Sequence, residues 1–155
     1  TVVKLTNVSK LEKPNILGLK IISLKKISDH RGTVLHMLRA DSKHFKQFGE
    51  IYFSEINPGY AKTWKNHTKM TQNFAVPVGK VIFKFYDDRS TSSSFGAKDK
   101  IIIGRPNNYH LLIVPPLVWY SFENISEKHS LIANCASLPH DPNELKKDKL
   151  KITDF

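Results

Sequence analysis

The sequence predicts an all-β protein, a jelly roll made of many short strands with a short helical element near its C-terminus. Short apolar runs recur at regular spacing and are separated by turn-forming residues, which is typical of a barrel or a two-sheet jelly roll. Residues 80–86 alternate, with Val81, Phe83 and Phe85 on one face, and this period of two is typical of a strand. A chain of 155 residues is long enough for a self-sufficient core, so we predict a single domain over residues 1–155.

The strands are expected in a regular succession. Phe74 to Val76 forms a short strand, Pro77-Val-Gly79 forms a turn, and the alternating run forms the second strand of a hairpin. The other predicted strands are residues 20–24, 33–38, 51–56, 100–103, 109–114, 118–122 and 130–135.

Two helical elements are predicted from their end signals. Asp41 can cap a short helix that runs to Phe48 and ends at Gly49. Asp141-Pro-Asn-Glu144 has the composition of a helix start, with aspartate as the cap and proline in the first helical position.

Composition and charge exclude several classes of partner. The net charge of +10 comes mostly from scattered lysines, whereas nucleic-acid binders usually gather basic residues on one element together with stacking aromatics. We therefore predict no nucleic-acid partner and interpret the charge as a solvated surface, whose positive field could attract a small anionic substrate. No apolar run approaches the length of a membrane span and no signal segment is visible, so no membrane partner is expected. The single cysteine, Cys135, excludes an internal disulfide and favours a cytoplasmic protein.

His67, directly ahead of the hairpin, is predicted to point into the mouth of the barrel. A neutral imidazole can remove a proton next to a ketone if a donor stabilises the enolate oxygen. The alternative is a histidine that makes only backbone hydrogen bonds at the rim. A metal site in such a barrel would need a second histidine two residues away and a carboxylate, and Thr68-Lys-Met-Thr71 supplies neither. We predict no metal and no cofactor.

Two arginines and three aromatic residues are candidates for binding. Arg31 and Arg89 stand out in a chain that prefers lysine, and the planar guanidinium suits phosphate or carboxylate recognition. Alternatively, each arginine fixes its own turn by pairing with a neighbouring aspartate. Trp64, Trp119 and Tyr120 could wall a cleft and stack on a base or sugar, or could be core and rim aromatics that need no ligand.

Four segments form an ordered pattern along the chain. They are Asp29-His-Arg-Gly32, His67, Asp87-Asp-Arg89 with Phe95-Gly96, and residues 114–122, Val-Pro-Pro-Leu-Val-Trp-Tyr-Ser-Phe. In this order they resemble the Asp-x-Arg-Gly turn, the catalytic histidine, the Asp-x-Arg…Phe-Gly loop and the Ile-Pro-x-Gly-Phe-Ala-His-Gly-Phe segment of the dTDP-4-dehydrorhamnose 3,5-epimerase family. The resemblance runs from about residue 20 to the C-terminus. It implies a cupin-like double-stranded β-helix jelly roll that is usually a metal-free homodimer.

The resemblance also implies roles at positions where the residue type differs. The family carries an arginine at the position of Trp64, next to Lys65, and a lysine that polarises the keto oxygen at the position of Gln72. Its second histidine corresponds to Tyr120, and the tyrosine thought to be its general acid corresponds to Asn134.

The predicted site combines these positions. Asp154 is the counterpart of the family's aspartate that orients the histidine. Gln72, Lys65 or Tyr120 could donate to the enolate, and Tyr120 could also return a proton from the other face. The site is predicted to contain the catalytic residues His67, Tyr120 and Asp154, and the substrate-binding residues Arg31, Trp64, Lys65, Gln72, Arg89, Trp119 and Asn134.

The resemblance implies a sugar-nucleotide epimerase or isomerase that acts on a nucleotide-linked 4-keto-6-deoxyhexose. The reaction would proceed through an enediolate formed by His67, in surface polysaccharide or deoxysugar biosynthesis. A 3,4-ketoisomerase is a close variant, since that reaction also moves protons next to a ketone. The second hypothesis is a catalytically degenerate cupin that binds a sugar nucleotide or glycan without turnover, which the replaced lysine and tyrosine favour.

Overall fold

The computed structural model of the chain describes residues 13–147 and Leu150. Ten strands and one short helix lie within this part of the chain. The strands are β1 (Lys20–Ser23), β2 (Lys26–Asp29), β3 (Gly32–Leu35), β4 (Glu50–Ile56), β5 (Gln72–Val78), β6 (Lys80–Tyr86), β7 (Lys98–Gly104), β8 (His110–Val114), β9 (Trp119–Asn124) and β10 (Ser130–Ala136). The helix is a single 3₁₀ turn, Pro142–Glu144.

Two antiparallel sheets form the body of the protein. The larger has the strand order β1-β8-β5-β10-β4, the smaller has the order β7-β6-β9, and β2 and β3 form a separate hairpin. Apolar side chains from both sheets, among them Phe74, Phe83, Phe122 and Ile132, share one buried cluster. Strands distant in sequence pair with each other, as β1 does with β8 and β4 with β10. The prediction of an all-β jelly roll is confirmed.

The two strands predicted around the Gly79 turn are present as β5 and β6, but the prediction that they form a hairpin is wrong. β5 pairs with β8 and β10 in the larger sheet, whereas β6 pairs with β7 and β9 in the smaller one, so the turn carries the chain from one sheet to the other. Val81, Phe83 and Phe85 are fully buried, while the residues between them are partly exposed. At the turn, Gly79 has a φ of +85°, and a Cβ there would lie 2.0 Å from Ser130 Oγ. Glycine is therefore required both for the left-handed conformation and for the close approach of β10.

The predicted C-terminal helical element is present. Asp141 caps it by accepting a hydrogen bond of 3.0 Å from the Asn143 N–H, and Pro142 begins the turn. The described part of the chain contains no helix that is long and apolar enough to cross a membrane.

The helix predicted from Asp41 to Phe48 is wrong, because these residues form separate turns. The Asp41 carboxylate accepts hydrogen bonds of 2.8 and 2.7 Å from the Arg39 guanidinium instead of capping backbone N–H groups. Gly49 does not end a helix but passes close to Leu138. A Cβ at Gly49 would lie 2.3–2.4 Å from the backbone of Leu138.

The apolar core gives way to polar residues at one end of the barrel. Along β4 the inward-facing side chains become more exposed, from Ile56 at 3% to Tyr52 at 37%. Directly opposite Tyr52, Asn134 on β10 is buried, and Gln72 at the start of β5 is buried as well. Because buried polar groups are costly unless they are hydrogen-bonded, this end of the barrel is the candidate site.

Candidate active site

His67 lies at the polar end of the barrel, on a segment that extends the smaller sheet beyond β9. Lys65 and Tyr120 exchange two backbone hydrogen bonds of 2.9 and 3.0 Å, which fixes this segment alongside β9. The His67 carbonyl accepts a further bond of 2.7 Å from the Leu117 N–H. The imidazole is almost fully buried, so its ring nitrogens require partners inside the protein.

Glu144 provides the partner of one ring nitrogen. Its Oε1 lies 2.5 Å from His67 Nδ1, and its Oε2 accepts hydrogen bonds from the Lys69 and Met70 N–H groups at 2.9 and 3.3 Å. Both carboxylate oxygens are thus engaged in a buried environment. The pair has the geometry in which a carboxylate orients an imidazole and fixes its tautomer.

The segment that carries Glu144 is held against the His67 segment by backbone contacts. The Glu144 carbonyl accepts bonds of 2.9 and 2.7 Å from the Thr68 N–H and hydroxyl. Two residues further on, the Lys146 N–H donates to the Asn66 carbonyl at 2.8 Å. The position of the carboxylate is therefore set by backbone pairing on both sides of it, which pre-organises the dyad.

The electrostatics of the dyad favour a neutral imidazole beside a charged carboxylate. Burial lowers the pKa of His67, and the Glu144 carboxylate opposes this shift only in part. Burial alone would raise the pKa of Glu144, but hydrogen bonds from the Lys69 N–H and from His67 outweigh it, and the pKa lies below its usual value. With Glu144 ionised, the imidazole proton belongs on Nδ1. Nε2 then has a free lone pair at neutral pH, as a general base requires.

Tyr120 stands beside that lone pair. Its hydroxyl lies 3.2 Å from His67 Nε2, and the two rings are nearly parallel, with centroids 6.0 Å apart. The phenol donates a hydrogen bond of 3.0 Å to Gln72 Oε1. Burial raises the pKa of Tyr120, so the phenol stays protonated.

The polar network continues across the barrel to the larger sheet. Gln72 Oε1 also accepts a bond of 3.1 Å from Asn134 Nδ2, and the same amide nitrogen donates to the Tyr52 hydroxyl at 2.9 Å. Asn134 Oδ1 accepts the Asn73 N–H at 3.2 Å. A chain of hydrogen bonds thus joins Tyr120, Gln72, Asn134 and Tyr52, and the Tyr120 hydroxyl brings this chain into contact with His67 Nε2.

The two predicted tryptophans lie outside this network. The Trp119 side chain is buried, its indole N–H donates to Asp88 Oδ2 at 2.8 Å, and the Lys146 ammonium lies 5.6 Å from its ring centroid. Because Trp119 precedes Tyr120 on a strand, its side chain points to the opposite face. It packs behind the site and does not wall the cleft. Trp64 is partly buried, and Lys65 is exposed next to it.

The two predicted arginines form turn-fixing pairs of very different exposure. Arg89 donates bonds of 2.8 and 3.0 Å to the fully buried Asp87, and it also donates to the Leu17 carbonyl at 2.7 Å. It therefore anchors its own loop. Arg31 pairs with Asp29 at 2.7 Å in the β2–β3 turn, but its side chain is 78% exposed. Of the two, Arg31 is the one available to a ligand.

Two residues of the network escaped the sequence analysis. Glu144 lies in a segment interpreted only as a helix start, and an acidic residue in a first helical turn gives no sign that its carboxylate turns inward. The inward orientation of Tyr52 follows from the alternation along β4, which could have identified it. Asp154, predicted to orient the histidine, lies outside the described residues.

No cluster suited to a metal ion is found among the described residues, where no three His, Cys, Asp or Glu side chains come together. His67 Nδ1 is hydrogen-bonded to Glu144, and Nε2 faces the Tyr120 hydroxyl at 3.2 Å. The expectation of metal-free chemistry stays a prediction.

Comparison with known proteins shows several relatives, although no family model matches the chain. The chain is 29% identical over 123 residues to the probable low-salt glycan biosynthesis epimerase Agl13 of Haloferax volcanii, covering 78% of each chain. It is 28% identical over 127 residues to the spore coat polysaccharide biosynthesis protein SpsL of Bacillus subtilis, covering 82% of this chain and 83% of the relative.

A solved structure is more similar still. The crystal structure of a dTDP sugar isomerase from Desulfovibrio desulfuricans is 44% identical, with a TM-score of 0.85, over 88% of this chain and 87% of that one. Identity at this level over nearly the whole of both chains is consistent with the ordered motifs and the jelly roll. The chain belongs to the family of dTDP-sugar epimerases and isomerases that resemble dTDP-4-dehydrorhamnose 3,5-epimerase.

Proposed function

We propose that this protein is an epimerase or isomerase of a nucleotide-linked 4-keto-6-deoxyhexose and works without a cofactor. The observation that carries the proposal is the buried imidazole of His67, held between Glu144 at 2.5 Å and Tyr120 at 3.2 Å. A relative named as a dTDP sugar isomerase supports the substrate class.

His67 is the base in this proposal. Its Nε2 takes the proton from the carbon next to the ketone, and the electron pair of the broken C–H bond moves towards the keto oxygen to form an enediolate. Glu144 stabilises the imidazolium that results, since it accepts the Nδ1 proton in a hydrogen bond. Because Tyr120 donates its proton to Gln72, the contact between the Tyr120 oxygen and Nε2 leaves the Nε2 lone pair available to a substrate.

Gln72 is the donor that stabilises the enediolate oxygen. Its carbonyl oxygen accepts bonds from both Tyr120 and Asn134, which orients its amide NH₂ as the group that can donate to the substrate. The position corresponds to the lysine of the resembling family, and a neutral donor there supports the charge less strongly than an ammonium does. Lys65 is an exposed cation two residues before His67.

In this proposal, exposed cationic groups hold the nucleotide diphosphate. Arg31 presents a guanidinium that is mostly exposed, and Lys65 is exposed beside the His67 segment. The net charge of +10 adds a general attraction for a dianionic ligand. Trp64 is the remaining aromatic candidate for contact with the base, because Trp119 is buried behind the site.

A homodimer is part of the proposal. β4 is an edge strand of the larger sheet, and its outward-facing Ile51 and Phe53 are 53% and 64% exposed. An apolar edge strand favours association with another chain. Light scattering at micromolar concentration should give twice the mass of one chain, and a monomer would contradict this part of the proposal.

The names of two relatives suggest the biological setting. One is named for glycan biosynthesis and the other for spore coat polysaccharide biosynthesis. We propose that this protein supplies a modified deoxysugar for such a polymer and does so in the cytoplasm.

A catalytically degenerate binder is the second candidate. It is favoured by one observation, the replacement of the resembling family's ionisable lysine and tyrosine by the neutral amides of Gln72 and Asn134. Such a protein would bind the nucleotide sugar but exchange no proton.

Proton NMR of dTDP-4-keto-6-deoxyglucose in deuterated buffer distinguishes these candidates. Deuterium wash-in at C3 or C5 with the protein present indicates enolisation, and inversion at either carbon indicates an epimerase. A keto carbon that moves from C4 to C3 indicates a ketoisomerase. Binding of dTDP by calorimetry without any wash-in indicates the degenerate binder, and if no nucleoside diphosphate binds at millimolar concentration, the substrate class is wrong.

A further inference from the structure

Tyr52 is a second phenol at the open end of the barrel, and the mechanism above gives it no role. It lies on β4 directly opposite Asn134 on β10. Its hydroxyl accepts a bond of 2.9 Å from Asn134 Nδ2, which also donates to Gln72 Oε1 at 3.1 Å. Since Gln72 accepts the Tyr120 hydroxyl as well, the two phenols belong to one network.

The two phenols differ in position relative to the base. The Tyr120 hydroxyl is 3.2 Å from His67 Nε2 and its ring stacks on the imidazole at an interplanar angle of 10°, so it lies on the same side as the base. A group that returns a proton to the opposite face of the substrate must lie across the substrate from the base. Tyr52 reaches the network from the other sheet, at the far end of the chain of hydrogen bonds.

They differ in access to water as well. Tyr120 is 4% exposed, whereas Tyr52 is 37% exposed on the inner face of β4, where the barrel opens. An acid that gives up a proton in every turnover must be reprotonated, and exposure gives Tyr52 a direct route to solvent. Burial still raises the pKa of Tyr52, while the hydrogen bond from Asn134 opposes that shift and supports the phenolate.

We propose that Tyr52 is the acid of this site and returns a proton to the enediolate on the face opposite His67. The inference rests on the proposed function and deepens it, because it assigns the second proton transfer. Asn134 stands at the position where the resembling family has its tyrosine, and its amide holds the phenol of the neighbouring strand at that place. The phenol of this protein is therefore on β4, at Tyr52, directly opposite the β10 position that carries the tyrosine in the resembling family.

The two proposed proton transfers return the protein to its starting protonation state after each turnover. His67 Nε2 takes the proton of the substrate C–H bond, and the electron pair of that bond enters the enediolate. As the keto group forms again, an enediolate carbon takes the Tyr52 hydroxyl proton and forms a new C–H bond. The phenolate then regains a proton from water, and the imidazolium returns one to water.

Tyr52→Phe tests this inference because it removes only the hydroxyl. The matched control is Tyr60→Phe, an exposed tyrosine in the loop that follows β4. For each protein, two rates are measured in deuterated buffer: wash-in at the substrate carbon, and formation of epimerised or isomerised product. Thermal unfolding and dTDP calorimetry verify that each variant is folded and binds.

We expect Tyr52→Phe to form product at least about 100-fold more slowly while wash-in continues near the wild-type rate, because His67 still removes and returns the proton on its own face. Tyr60→Phe should match the wild type in both rates. The inference is overturned if Tyr52→Phe forms product at the wild-type rate, or if wash-in and product fall by the same factor. Failure of the proposed function would look different, since the wild-type protein itself would then catalyse no wash-in, and both inferences would fall.

Discussion

Two buried carboxylates, Asp87 and Glu144, have different partners, and we propose that one serves structure and the other chemistry. Asp87 is fully buried and binds the Arg89 guanidinium together with the hydroxyls of Ser92 and Ser94. Glu144 is almost as buried, but its side-chain partner is the imidazole of His67. Arginine does not lose its charge in proteins, whereas histidine changes charge near neutral pH.

The two carboxylates therefore differ in whether their cluster can exchange a proton. Burial alone would raise the pKa of Asp87, but the hydrogen bonds from Arg89, Ser94 and Ser92 outweigh it and hold the pKa far below its usual range. This carboxylate is therefore a permanent anchor for the loop after β6. The Glu144–His67 pair can instead take up a proton at Nε2 and release it. Both clusters contain a buried carboxylate, but only the Glu144–His67 cluster has a partner that can change its charge near neutral pH. We infer that this titratable partner is what suits the cluster to proton transfer.

The largest expected loss of stability comes from the structural cluster. Asp87→Ala leaves the Arg89 guanidinium without its buried partner and should lower the free energy of unfolding by about 3 kcal/mol. Urea denaturation measures this loss. The matched control is Asp29→Ala, which removes the carboxylate of the exposed Arg31 pair and should leave the denaturation midpoint unchanged. Equal losses in both variants would show that burial does not separate the two pairs.

The chemical cluster should respond in the opposite way. Glu144→Gln keeps the shape but removes the charge that stabilises the imidazolium, so kcat should fall by on the order of 100-fold or more. The variant should still bind dTDP, and its urea midpoint should change less than that of Asp87→Ala. Steady-state kinetics and calorimetry on the same sample measure both. A variant that unfolds as easily as Asp87→Ala but retains its kcat would reverse the comparison.

The pH dependence of activity sharpens the comparison further. Burial depresses the folded-state pKa of His67 below its usual value of about 6.5, and the base is active only when it is neutral. Activity should therefore be full at pH 7 and fall as the pH drops through a midpoint below about 6.5. Because the Glu144 carboxylate raises this pKa, Glu144→Gln should move the midpoint to lower pH. A midpoint that moves upward in the variant would contradict the assignment.

The smallest effect concerns the exposed arginine. Arg31→Ala removes one charge-assisted contact to a phosphate and should weaken dTDP binding about tenfold at low salt, and by less as salt is added. The free energy of unfolding should not change. Calorimetry over a series of salt concentrations measures the effect, and an affinity equal to the wild type at every salt concentration would remove Arg31 from the site.

The fold could be predicted because each strand carries its own signal. The alternation of Val81, Phe83 and Phe85 and the glycine turn before them depend on neighbours in sequence, which a single chain displays. The helix predicted from Asp41 is wrong, and the carboxylate expected to cap it accepts a hydrogen bond from the neighbouring Arg39 guanidinium instead. Nothing in the capping pattern itself distinguishes the two outcomes.

The site could be predicted only in part, because its contacts are long-range. His67 and Glu144 are 77 residues apart, and only the backbone pairing of two distant segments brings them together. Arg89 and Trp119 have residue types suited to ligand binding, but burial against Asp87 and Asp88 gives them structural roles. Residue type suggested the chemistry, and burial decided which residues are available for it.

Solvent deuterium exchange with His67→Asn tests the central claim most directly. Asparagine has a similar volume and keeps hydrogen bonding, but it cannot accept a proton at neutral pH. The account predicts that wash-in falls by about two to four powers of ten while thermal unfolding and dTDP binding remain close to the wild type. Exchange at the wild-type rate in His67→Asn, on every keto sugar that the protein turns over, would show that His67 is only structural and would contradict the account.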